Sequence, residues 1–188
     1  MALDSLHDLY VEELKDLYNA ENQLLKALPK MVKAATHPDL KNAFKEHLEV
    51  TRNQVTRLEA IFEKLEESPK GKKCKAMEGL VAEAADTIAE DGIAAVKDAA
   101  LIAAAQRVEH YEMAGYGCVR TFAKLLGYDE AVELLQATLD EEGEADKALT
   151  ELAETIINID AENADDEHDE DNDAEVDAAE TKKAAAKR

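Results

Sequence analysis

Apolar positions recur at i, i+3, i+4 and i+7 over five stretches of the chain, and this period predicts five helices. The first runs from about Leu3 to Ala35, with Tyr10, Leu14, Leu17, Glu21, Leu24, Leu28 and Met31 on one stripe. His37 and Pro38 break it, and Pro38 suits the first turn of the next helix, where an N–H has no helical partner anyway. The second helix extends to about Glu66 and turns Phe44, His47, Thr51, Gln54, Val55, Leu58 and Phe62 inward. A loop, "ESPKGKK", and a shorter helix of about Lys75 to Glu90 follow. Gly92 precedes a long fourth helix, about Ile93 to Leu126, which Gly127 closes as a left-handed terminal residue. The fifth runs from about Asp129 to Ile159, with Leu135, Thr138, Glu142, Leu149, Leu152 and Ile156 on its stripe.

Four helices of about 30 residues would each reach roughly 45 Å. Short turns after the first and fourth make two antiparallel hairpins, and the Ser68–Gly92 segment carries the chain between them. The expected fold is an all-α antiparallel four-helix bundle with a short extra helix in the crossover.

The acids on the inward stripes change this picture. A buried ionised carboxylate is costly unless it is paired or bound to a metal. Glu21 lies between Leu17 and Leu24. Glu109 and Glu112, in "RVEHYEMAGYG", share a face with Ile102, Ala105 and Tyr116. Glu142 lies between Leu135 and Leu149, with Asp146 one turn on. Residues equidistant from a hairpin turn stand at similar heights. Glu112 pairs with Glu142, and Glu109 with Asp146, about a turn at Gly127. About the His37–Pro38 turn, Glu21 pairs with Gln54. Carboxylates gathered in this way repel one another, and divalent cations resolve the conflict. Oxygen-rich donors suit iron(II), manganese or magnesium better than thiolate-selected metals. The candidate metal ligands are Glu21, Gln54, Glu109, Glu112, Glu142 and Asp146. His47 faces inward but lies ~10 Å along the axis from Gln54, too far to share one ion with it. Glu12, Glu13, Glu49, Glu59 and Glu63 are read as solvated.

Composition limits the partners. Of 188 residues, 43 are acidic and 22 basic, giving a formal charge of −21. This surface opposes nucleic acid and anionic membranes. No run approaches the ~18 apolar residues of a membrane helix, and the acidic, amphipathic N-terminal stretch is unlike a signal peptide. Two cysteines, Cys74 and Cys118, suit a reducing compartment and are read as small buried residues. The expected location is the cytoplasm. From Ala161 onward the chain holds 11 acidic residues and no Leu, Ile or Phe. Residues 161–188 are expected to be a disordered acidic tail, leaving 1–160 as the bundle domain. Tyr18 and Tyr116 are read as core tyrosines with satisfied hydroxyls, and His110 as a packing or surface residue.

The stretches "LYNAENQLLKALPKM", "HLEVTRNQVTRLE", "CKAMEGLVAEA", "DAALIAAAQRVEHYEMAGYG" and "TLDEEGEADKALTELA" resemble the bacterial YciF/YciE family, the ferritin-like DUF892 proteins. The resemblance spans about residues 3–158. It implies a rubrerythrin-like helical bundle, a homodimer and a tie to stress responses. It also implies a carboxylate where this chain has Val50, and ferritin-like sites usually draw a Glu and a His from helix two. Two functions stand open. One is a di-metal carboxylate protein, with iron or manganese, that oxidises ferrous ion or handles peroxide. The other is a non-catalytic dimeric scaffold with a degenerate site. DNA protection fits poorly with the charge, and nothing signals a large storage shell.

Overall fold

The computed structural model describes residues 3–164. The expected acidic tail therefore lies outside the described residues from 165 onward, while 158–164 continue the last helix. The helices are α1 (Leu6–Ala34), α2 (Pro38–Lys64), α3 (Lys75–Ala89), α4 (Ala94–Leu126) and α5 (Asp129–Leu152). A single π-helical turn, Ala153–Ile157, interrupts the last helix.

Local chemistry sets the ends. The Ser5 hydroxyl accepts from the Asp8 N–H at 3.1 Å and starts α1. His37 Nδ1 accepts from the Asp39 N–H, and Pro38 sits in the first turn of α2. The Cys74 sulfur accepts from the Met77 N–H at the start of α3. Gly127, at φ 77°, ends α4 in the left-handed region, and the Tyr128 N–H reaches back to the Ala123 carbonyl.

α1 packs on α2 and α4 on α5; α1–α4 and α2–α5 contacts close the bundle, while α3 lies against α4 and α1. The two ends are distinguishable. At one, Thr36, His37 and Pro38 adjoin Ala94, Asp98 and Ile157. At the other, Tyr10 and His7 stack against Tyr128, and Lys64 pairs with Glu130. Thus α2 and α4 run in the same direction, as a lengthwise crossover requires.

Asp98 adds one contact to those that set the offset between the hairpins. Although buried, it accepts hydrogen bonds from the Thr36 N–H at 2.8 Å, the Thr36 hydroxyl at 2.6 Å and the His37 N–H at 2.7 Å. A carboxylate so satisfied is tolerable in the interior. α1 and α4 also approach closely at Gly115, where an added Cβ would stand 2.7 Å from Leu17 Cδ2.

The core is in two parts. One surrounds Leu24, Leu28, Phe44, Met77, Leu101 and Ile157. The other surrounds Tyr10, Leu14, Leu58, Phe62, Tyr116 and Leu135. Between them lies a buried polar layer of Glu21, Thr51, Gln54, Glu109, Glu112, Thr138 and Glu142.

Candidate metal centre

Each of the four long helices sends a polar side chain into this layer from a stripe that is otherwise apolar. Glu21 comes from α1, His47 and Gln54 from α2, Glu109 and Glu112 from α4, and Glu142 from α5. The i, i+3 spacing in α4 puts both of its carboxylates on one face.

Four of these residues, His47, Glu109, Glu112 and Glu142, each bring one donor atom within 4.8 Å of all the others. His47 Nε2 lies 3.5 Å from Glu109 Oε1 and 3.8 Å from Glu142 Oε2. Glu21 borders the group on the α1 side, where its Oε1 accepts from the Tyr116 hydroxyl. Gln54 donates to Glu141 Oε2 at 3.3 Å and keeps its own Oε1 in the layer. Asp146 stands aside from the four. It is half-buried, accepts from Gln106 Nε2 at 3.2 Å and lies 3.3 Å from His110 Nε2.

The layer is underpaired. Among the described residues, the buried side-chain oxygens without a hydrogen-bond partner are the Tyr10 hydroxyl and atoms of the polar layer. The latter are one oxygen each of Glu21, Gln54 and Glu109 and both oxygens of Glu112 and Glu142. Native interiors rarely leave such atoms orphaned. Convergent, unpartnered carboxylate oxygens beside an imidazole nitrogen match the donors that iron(II) and manganese(II) take.

Burial dominates the titration of these groups, through the loss of water around the charged form. Glu21, Glu112 and Glu142 are pushed well above the usual carboxylate value, first by burial and next by neighbouring carboxylates. Glu109 is raised to about 7, first by burial, and the charges of Glu21 and Asp146 add to the rise. Burial lowers His47 to about 4, partly offset by the charge of Glu141. At neutral pH the imidazole is therefore neutral and able to ligate.

Arg57 closes the side of the layer near Gln54. Its two terminal nitrogens each meet an oxygen of Glu141 at 2.6 Å, and one also donates to Thr138 at 3.2 Å. The Arg57–Glu141 pair thereby holds the carboxylate to which Gln54 donates, next to Glu142 in sequence.

His47 joins the group although it lies too far along α2 to share an ion with Gln54, because it stands level with Glu109 across the bundle. The inward stripe of α2 already carried that signal. The hairpin heights put Glu142 opposite Glu112, and the two stand in the same group of four; Asp146, expected opposite Glu109, stands outside that group. The Tyr116 hydroxyl is satisfied by Glu21, and that of Tyr18 by Glu59 at 3.0 Å. His110 is exposed and so is Cys118, against the expectation that both cysteines are buried; Cys74 is buried. Among the described residues no helix is long and apolar enough to cross a membrane.

Comparison with known proteins agrees with this architecture. Residues 5–162 match DUF892, a domain of unknown function. Protein YciF of Escherichia coli K12 is 46% identical over 165 residues, which cover 87% of this chain and 99% of YciF. The crystal structure of the E. coli stress protein YciF superposes with a TM-score of 0.80 at 44% identity, covering 82% of this chain and 98% of that one. YcfI of Rhodopseudomonas palustris gives 0.76 at 43% identity, over 79% and 94% of the two chains.

Proposed function

The chain belongs to the DUF892 family, with YciF among its relatives, and on that premise we propose that it is a divalent-metal carboxylate protein that takes up iron(II) or manganese(II) in mid-bundle. One observation carries the reading: four buried donor atoms lie within 4.8 Å of one another, and most of the carboxylate oxygens there lack a hydrogen bond.

His47, Glu109, Glu112 and Glu142 would hold the ion. Glu21 and Gln54 border the same layer with free oxygens and would complete the shell of a second one. Asp146 would act from outside, through its contacts with Gln106 and His110. When bound, iron(II) supplies a one-electron reductant whose trivalent product hard carboxylates favour. The residues themselves do the rest. The neutral imidazole of His47 donates without first losing a proton. The carboxyls, whose hold on protons burial strengthens, release protons as they ligate. The two apolar clusters above and below keep water from the layer. Ferrous oxidation or peroxide handling is the activity proposed for such a centre, and the E. coli relative's name as a stress protein supports a role under stress. A cytoplasmic homodimer belongs to the same proposal and is read by sedimentation.

The test is metal analysis of protein purified without chelator, repeated on Glu112→Ala and Glu142→Ala. Stoichiometric metal in the parent and loss in both variants is expected. Metal that survives both changes overturns the assignment.

A second reading is a non-catalytic scaffold. It is favoured by Val50, which adds no ligand from α2, and by the Tyr116–Glu21 bond, which satisfies one Glu21 oxygen without an ion. An unchanged melting temperature on adding iron(II) or manganese(II), with ferrous oxidation no faster than background, would select it.

A further inference from the structure

The centre is closed on most sides. The side chains of Glu142 and Glu112 are 0% exposed, whereas Glu109 retains 4% and His47 12%. Their exposed side opens onto a cavity of about 390 Å³ between α2 and α5, for which His47 and Glu109 form the inner wall. The size is at the lower end of small-molecule sites, which run from about 300 to 1,000 Å³.

The cavity has its own chemistry. Its walls include Phe44, Val50, Ala145, Ala148 and Leu149, and the small side chains of Val50, Ala145 and Ala148 leave room between the two helices. Its mouth is acidic, with Glu46, Asp140, Glu141 and Glu144. Apolar walls select a hydrocarbon body. Glu141 pairs with Arg57 and Glu144 with Lys147, but Glu46 and Asp140, on a chain of charge −21, still disfavour carboxylates and phosphates. Of the lining residues, His47 and Glu109 belong to the centre.

We propose that this cavity binds an uncharged small molecule with an aliphatic chain and a terminal oxygen head, the head lying against His47 and Glu109. Alcohols, aldehydes and alkyl hydroperoxides share that chemistry. The placement of the head beside an ion rests on the metal-centre reading, whereas capture of the chain does not.

The experiment uses metal-free full-length protein titrated with 1-octanol and with octanoate, followed by calorimetry and by the NMR signal of the His47 imidazole. Octanol is expected to shift that signal and to bind at least tenfold more tightly than octanoate. Two wall-filling variants on different helices, Val50→Phe and Ala145→Phe, should each weaken octanol at least tenfold while leaving metal affinity within threefold. Their helicity by circular dichroism controls for folding, and either variant suffices if the other fails to fold. Absence of octanol binding, equal binding of octanoate, or binding indifferent to a folded wall variant overturns the proposal. So does a dimer that sedimentation shows to be broken by the same variants, since a second copy would then occupy the groove. Metal loss from the Glu112 and Glu142 variants is scored separately, so that the centre and the cavity can fail independently.

Discussion

His47 Nε2 on α2 and Glu109 Oε1 on α4 face each other at 3.5 Å, across two helices that run in the same direction. An imidazole that burial holds near a pKa of 4 is a poor ion-pair partner for a carboxyl raised to about 7. At neutral pH the pair is a neutral nitrogen beside a half-titrated acid. That pairing offers little to folding and much to a cation.

Removing the imidazole therefore affects binding more than folding. His47→Ala should weaken manganese(II) at least tenfold, which is about 1.4 kcal/mol, in a competition titration against a metal indicator. Affinity within twofold of the parent would remove His47 from the ligand set.

The pH profile of the metal-free protein follows from the same groups. Glu109 has a folded value above its ordinary 4.5, so the stability it contributes is complete below about 4.5 and is lost as pH rises through about 7. Glu21, Glu112 and Glu142 are raised in the same sense. His47 is lowered from 6.5 to about 4, so its contribution is complete above 6.5 and is lost as pH falls through about 4. Between these limits the two effects oppose. Above pH 6.5 only the carboxyls act, and the melting temperature of metal-free protein should decline as pH rises further. Saturating manganese(II) should flatten that slope, because ligated carboxylates no longer gain from protons.

Neutralising one carboxyl should separate stability from function. Glu112→Gln removes a charge that neighbours Glu21 and Glu142. The metal-free variant should be more stable at pH 8 by about 1 kcal/mol or more, while manganese(II) should raise its melting temperature less than that of the parent. Denaturant titration with and without metal checks both halves.

The Asp98 cap predicts the reverse pattern. Asp98→Ala leaves the Thr36 and His37 N–H groups without their acceptor, and should cost about 2–4 kcal/mol. Its end of the bundle is remote from the ligands, so metal affinity measured well below the melting temperature should stay within threefold.

Gly115 offers a steric test. A Cβ there already meets Leu17, which is itself buried, and Gly115→Val should destabilise by about 1–3 kcal/mol in chemical denaturation. Stability equal to the parent would show that α1 and α4 can part at no cost.

Much of the fold was legible in the pattern of apolar positions. The periods of α1, α2, α4 and α5 placed each inward stripe, and Pro38 and Gly127 marked the turns. Heights within a hairpin follow from its own turn, which is why Glu112 and Glu142 meet. The offset between hairpins has no such local signal. It depends on packing along the whole length of the bundle across a crossover of variable path, to which Asp98 reaching Thr36 adds one contact, and in the result His47 stands level with Glu109. Asp146 sits on the right stripe, but it faces Gln106 and His110 rather than the four donors. The π-helical turn at Ala153–Ile157 left no mark in the periodicity, because a single added residue merely rotates a stripe.

The position of the polar layer has a consequence for how long the protein lasts. Its donors come from all four long helices, halfway between the two apolar clusters, so an ion there would bind the folded chain and not its unfolded form. Opening one helix far enough for a protease to engage it would then require release of the ion. The half-life of the protein would follow the supply of free divalent metal, and in scarcity the cell would recover the amino acids of a protein with nothing left to bind.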